Sequence, residues 1–203
     1  MEAKSVWYQP DEVVVRVVSQ WDAPDLAEAA LRDLVAYDRQ VRPEDVRLGR
    51  RCPQCAAPDH GRRVVAPISG SPVHVSISRT SGRTLVAVTS AGPLGVDIER
   101  LDPRRFQGVA AVALHPDEGR PELPDLAARW ARKEAVLKAT GWGLNWAPSL
   151  LDVTSPHGGP FALTAFRNGR AVPLWVSDVS VEAGYAAAIG VVSEVPVNVR
   201  MAP

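Results

Sequence analysis

A chain of 203 residues with 46% hydrophobic content is long enough to bury a sizeable core, as one domain or as two small lobes. Its 23 basic and 23 acidic residues cancel, which leaves no global field to recruit nucleic acid or an anionic membrane. The first residues, Met1 to Trp7, carry no apolar run, and no stretch approaches the length of a membrane span, so a cytoplasmic protein is expected.

Val13 to Val18 is β-branched except for Arg16 and predicts a strand. Leu26, Ala29, Ala30, Leu34 and Val35 then recur at helical spacing. From Arg42 to Arg63 the pattern turns basic and irregular, with six arginines against Glu44, Asp45 and Asp59. Val73, Val75 and Ile77 next alternate with His74, Ser76 and Ser78, one face apolar and the other polar. Leu85 to Thr89 is a second such run, and Gly92-Pro93 turns into a third, Leu94 to Glu99, so the three predict an antiparallel meander.

After Asp102-Pro103 a short apolar helix, Val109 to Leu114, precedes His115-Pro116-Asp117-Glu118. A longer helix follows, with Asp125 as its expected N-cap and Gly141 where a left-handed C-terminal residue is wanted. Strands are predicted over Leu150 to Thr154, Phe161 to Phe166, Leu174 to Val179 and Tyr185 to Val192, with a frayed tail beyond. Helix plus antiparallel strands thus occurs twice. The expectation is an α+β fold of two pseudo-symmetric lobes, each a small antiparallel sheet packed with helices, with residues 1–105 in one and 106–203 in the other.

Two stretches put charge inside apolar elements. On the long helix Leu126, Trp130 and Leu137 fall on one stripe, Lys133 shares it, and Glu134 and Lys138 lie one turn apart at its margin. The chain holds three lysines against twenty arginines, and two of the three sit in this helix. An ordinary solvated Glu134–Lys138 pair would explain the spacing alone. In Gly95-Val96-Asp97-Ile98-Glu99 the two carboxylates share one strand face while Val96 and Ile98 pack behind. Side-by-side carboxylates repel unless a cation sits between them, and a third from Glu134 would complete a hard oxygen site suited to Mg²⁺. Lys138, with Lys133 beside it, would then neutralise a phosphate-bearing substrate.

Together these residues resemble the 4'-phosphopantetheinyl transferase superfamily, in its single-chain, two-lobed form, the surfactin-synthetase-activating (Sfp) type. Gly95 to Glu99 and Trp130-Ala131-Arg132-Lys133-Glu134-Ala135 with Lys138 and Gly141 carry the resemblance. His60-Gly61-Arg62, the strand through His74, Ser76 and Ser78, and Leu114 to Glu118 add weaker matches.

The resemblance implies transfer of the phosphopantetheine arm of coenzyme A to a serine of an acyl or peptidyl carrier protein. The setting would be secondary-metabolite biosynthesis, and the enzyme a cytoplasmic monomer. Carried over by position, Asp97, Glu99 and Glu134 would hold Mg²⁺, and Lys138 would contact the attacked phosphate with Lys133 nearby. Glu134 or a metal-bound water would take the serine proton. Arg62, His74 and Ser76 would bind the nucleotide end, with Asp97 reaching the pyrophosphate through the metal.

Three positions depart from the pattern, all on the coenzyme side. Ile77 stands where a phosphate-facing histidine is usual, Arg63 follows Gly61-Arg62 where a proline is usual, and the N-terminal region is short. The Ile77 departure motivates the alternative of a non-catalytic relative that binds coenzyme A or a carrier protein as a regulatory module. A nucleic-acid-binding reading would need a more basic surface. Cys52, Cys55 and His60 offer three zinc ligands where a structural site takes four; His74 is a conceivable fourth, but a loop turn with two small semi-buried thiols is expected.

Overall fold

The computed structural model describes residues 11–202 apart from 20–23, 53–54, 59, 67, 69–71, 144–145 and 156–158. In chain order the elements are β1 (Asp11–Ser19), α1 (Pro24–Arg39), β2 (Leu48–Arg51), β3 (Arg62–Val65), β4 (His74–Thr80), β5 (Arg83–Thr89) and β6 (Leu94–Arg100). They continue with α2 (Val109–Ala113), α3 (Leu123–Thr140), β7 (Phe161–Arg167), β8 (Arg170–Asp178), β9 (Tyr185–Val192) and β10 (Val197–Met201). Among the described residues no helix is long and apolar enough to cross a membrane.

The fold is mixed α+β with two sheet-plus-helix lobes. One sheet runs β10-β1-β5-β4 and the other β6-β9-β8-β7, with β2 and β3 forming a separate hairpin. In both sheets a strand leads into a helix, and the chain returns through antiparallel strands so that the last of them pairs with the first. That gives β5 against β1 and β9 against β6.

Alternating side chains set the layers. Val14, Val86 and Val88 pack under Leu31, Leu34 and Val35 of α1. On the opposite face Val13, Val15, Leu85 and Ala87 meet Val96, Ile98, Ala187 and Ile189 of the second sheet. The far side of that sheet is covered by α3, through Ala131 and Ala135 against Ala188. Order from one surface to the other is therefore helix, sheet, sheet, helix.

Four expectations are corrected. Strand β6 does not continue a meander with β4 and β5; it pairs with β9. Its Gly92-Pro93 turn looks like any hairpin turn, but β6 is buried on both faces and belongs under α3. The tail beyond Val192 is not frayed, because Val197–Met201 pairs in parallel with β1. Each sheet thus borrows a strand from across the residue 105 boundary. The basic stretch is not irregular throughout, since Leu48–Arg51 pairs with Arg62–Val65. Leu150 to Thr154 is no strand but a helical turn over Pro148–Leu150 and a coil that buries Leu151 and Val153.

Helix α3 starts earlier than expected. Glu122 is its N-cap residue with no side-chain cap bond, and Asp125 falls in the first turn, where its negative charge is favoured by the positive end of the helix dipole. Its end is as read: Gly141 has φ 71°, and its N–H reaches the carbonyls of Leu137 and Lys138. The helix lies unusually close to the sheet. A Cβ added at Gly95 would stand 2.0 Å from the Ala135 carbonyl oxygen and 2.5 Å from the Ala139 nitrogen. Glycine at 95 is what lets α3 bring its polar margin down onto β6.

Candidate active site

Strand β4 is one edge of its sheet and β6 is one edge of the other, and the two edges run side by side without a backbone ladder. Hydroxyls fill the gap. The Val96 N–H donates to Ser76 Oγ at 3.0 Å, and the Arg100 N–H donates to Thr80 Oγ1 at 3.3 Å. The first of these satisfies an edge group that would otherwise be buried unpaired, and the second lies at the exposed end of the seam. A cavity of about 610 Å³ opens along this seam, with Ser76, Ser78, Asp97, Glu134 and Lys138 among its walls and Arg62 on its rim. A neighbouring cavity of about 830 Å³ shares Arg62 and adds His74.

Burial and alternation explain how the polar groups reach the seam. On β6, Leu94, Val96 and Ile98 enter the inter-sheet core, which turns Gly95, Asp97 and Glu99 to the α3 side. Lys138 Nζ donates to Asp97 Oδ1 at 2.6 Å, to the Val96 carbonyl at 3.1 Å and to Ser78 Oγ at 3.2 Å. Ser78 Oγ itself donates to Asp97 Oδ1 at 2.7 Å. Glu99 accepts from Trp130 Nε1 at 3.1 Å, and Arg105 Nη2 stands 3.1 Å from its other oxygen.

Two buried carboxylate oxygens, Asp97 Oδ2 and Glu99 Oε2, nevertheless accept no hydrogen bond. Arg105 balances charge at Glu99 but lacks the alignment of a hydrogen bond. Burial pushes the Glu99 carboxyl above its ordinary range and Asp97 pushes it further, against the pull of Arg105, Trp130 and Lys138. Burial likewise raises Glu134, with Lys138 opposing and Asp97 reinforcing. Asp97 is therefore felt by both glutamates. One acid that repels both of the others, and two carboxylate oxygens without a hydrogen bond, fit a hard divalent cation, which oxygen donors suit. Their oxygens are not drawn to a single point: among the described residues, the trios with all ligand atoms within 4.8 Å are Cys52–Cys55–His60 and His115–Asp117–Asp152. Lys138 holds one Asp97 oxygen, and Trp130 with Arg105 holds Glu99.

Lys133 is not part of this cleft, contrary to the expectation that it meets phosphate. It is fully buried and pairs with Glu118 Oε2 at 2.6 Å. The same ammonium donates to the carbonyls of Ala113, Pro148 and Leu151 at 2.8, 3.2 and 2.6 Å. Glu118 in turn accepts from the N–H groups of His115 and Val153. Desolvation lowers the Lys133 pKa and Glu118 opposes it. Arg132 beside it clasps Asp178 of β8 through two bonds of 2.6 Å. Both residues bolt α3 into its lobe.

On the other rim, Arg62 is exposed and opens into both cavities, while Ser76 and His74 share a face of β4. The His74 imidazole is pushed below its ordinary pKa by burial, then by Arg62 and Arg39. Arg63, where the pattern has proline, pairs with Glu28 of α1 at 2.8 Å and ties the hairpin to the lobe. Ile77 packs on the α1 core and also edges the cleft. Sequence reasoning missed Ser78, Arg105 and the part played by the Trp130 indole. Ser78 was within reach, since it alternates in step with His74 and Ser76.

Residues 93–190 match the family model of the 4'-phosphopantetheinyl transferase superfamily. The match supports a phosphopantetheinyl transferase, a family that takes coenzyme A as substrate and acts on carrier proteins. It spans just under half of the chain, from the start of β6 to near the end of β9, and so contains Asp97, Glu99, Glu134 and Lys138. The rim residues Arg62, His74 and Ser76 lie before it. No curated protein matches the chain.

Proposed function

We propose that the chain transfers the phosphopantetheine arm of coenzyme A to a serine hydroxyl of an acyl or peptidyl carrier protein, in the manner of the Sfp type, with Mg²⁺ as the cation. The observation that carries this is Lys138: one ammonium at the cleft floor, bound to Asp97 and Ser78, beside orphaned carboxylate oxygens within the family-matched segment.

Phosphoryl transfer is mostly positioning and charge neutralisation, and these residues supply both. Lys138, on a helix held by the Gly95 contact, faces the phosphate being attacked. Glu134 is more basic than an ordinary carboxylate because it is buried, which suits it to take the serine proton. Asp97, Glu99 and Glu134 would hold Mg²⁺, which supplies further charge neutralisation at the pyrophosphate. Arg62, exposed at the rim, binds the nucleotide 3'-phosphate by charge-assisted hydrogen bonds, with His74 and Ser76 along the same wall. Ile77 offers no bond there, which leaves more of the grip on coenzyme A to Arg62.

The test is intact-mass analysis of a panel of apo-carrier proteins incubated with the enzyme, coenzyme A and Mg²⁺. Gain of one phosphopantetheine on the carrier serine, lost in Lys138→Ala, is the expected result. Tight coenzyme A binding with no loading of any carrier would instead favour the non-catalytic module motivated by Ile77.

A further inference from the structure

The connection between β2 and β3 carries a cluster for which the transfer chemistry has no use. The Cys52 and Cys55 sulfurs and a ring nitrogen of His60 all lie within 4.8 Å of one another. Both cysteines are thiols, Cys52 buried and Cys55 exposed. Cys55 Sγ and His60 Nε2 are 3.5 Å apart. Around tetrahedral zinc, with Zn–S of ~2.3 Å and Zn–N of ~2.0 Å, a sulfur and a nitrogen ligand stand about 3.5 Å from each other.

The backbone is bent to suit. The Ala56 N–H donates to the Cys52 carbonyl at 2.9 Å and the Cys52 N–H to the Ala57 carbonyl at 3.0 Å, closing a tight turn around the pair. Ala56, directly after the second cysteine, is held at φ 60°, a left-handed conformation that an alanine seldom adopts. Counting ligands in the sequence stops at three; the structure shows that the three meet. Three protein ligands with water in the fourth position make the tetrahedral sphere of an open zinc site, as distinct from a closed one with four protein ligands.

We propose that Cys52, Cys55 and His60 bind one Zn²⁺ ion, with water as the fourth ligand. Thiolate and imidazole donors select this softer metal, and the oxygen cluster in the cleft selects a hard one, so the two sites do not compete. The zinc site would clamp the mouth of the β2–β3 hairpin directly beside Arg62. Gly61, with φ 90°, crosses so close to this corner that an added Cβ would lie 2.5 Å from the Cys52 Cα. Closing the loop at His60 therefore fixes the residue that aims Arg62 at the cleft.

The test is metal content by elemental mass spectrometry on chain purified under reducing conditions without chelator, then titrated with Zn²⁺ against a colorimetric competitor. One zinc per chain is expected, lost in Cys52→Ser and Cys55→Ser and weakened in His60→Ala. Replacing zinc by Co²⁺ should give a thiolate charge-transfer absorption that the cysteine variants lack. Limited proteolysis should cut the 52–61 loop faster after zinc removal. A reduced wild-type chain that takes up no zinc would overturn the proposal. So would a zinc ion that survives in the Cys52→Ser/Cys55→Ser double variant.

Discussion

Lys133 and Lys138 are five residues apart on one helix, and their surroundings differ in kind. Around Lys133 every polar group is partnered: one carboxylate and three carbonyls receive the ammonium, and both Glu118 oxygens also accept from backbone N–H groups. Around Lys138 this is not so, because the side chain is one-third exposed and the neighbouring acids keep two oxygens without a hydrogen bond. A buried polar cluster that is fully satisfied holds the fold together. One that is left short holds a place for something else.

The largest effect should come from breaking the complete cluster. Lys133→Met keeps the volume but strands the Glu118 charge, and should cost about 3–5 kcal/mol of stability by denaturant unfolding. Adding Glu118→Gln should restore part of it. An undiminished unfolding midpoint in the single variant would mean that the cluster is not structural.

Lys138→Ala should behave in the opposite way. Transfer should fall about 10²–10³-fold, the scale of losing one transition-state charge partner. Stability should fall less than in Lys133→Met, since water can reach the vacated position. A variant that loads carrier protein at the wild-type rate would remove Lys138 from the chemistry.

The contrast between these lysines was partly legible in the sequence. Periodicity put Lys133 on the apolar stripe with Leu126, Trp130 and Leu137, which already implied burial with partners, and its partner Glu118 lies on another element. Its place on the same helix as Glu134 and Lys138 pointed to the phosphate instead. Asp97 and Glu99 were legible because strand alternation leaves one choice once Val96 and Ile98 enter the core. The pairing of β6 was not, since Gly92-Pro93 serves a hairpin and a crossover equally well. What decides it is Gly95, whose missing side chain admits α3. The β10 strand is hidden in the sequence because its alternation, Val197 and Val199, is only five residues long and lies between prolines at 196 and 203.

On the arginine rim the expected effects are smaller. Arg62→Ala should weaken coenzyme A binding about ten- to a hundredfold and leave dephospho-coenzyme A nearly unchanged. Equal losses for both would exclude a role at the 3'-phosphate. The same substitution removes a nearby positive charge from His74, so the imidazole pKa should rise towards its ordinary value, although burial still holds it down. An NMR titration of His74 reads that shift directly.

Smallest of all is Ile77→His, which would add a donor at the cleft edge. The coenzyme A KM should drop several-fold with kcat little changed. No change in KM would show that the position does not reach the phosphates.

The most direct measurement of the satisfied-versus-orphaned distinction is unfolding free energy as a function of Mg²⁺. A cation that binds only the folded cleft at ten times its dissociation constant should stabilise the wild type by about 1.4 kcal/mol. Lys133→Met should keep that increment on its lower baseline, and Asp97→Asn should lose it. Mg²⁺ that leaves the wild type unmoved, or stabilises Asp97→Asn equally, would contradict the assignment of the cation to this site.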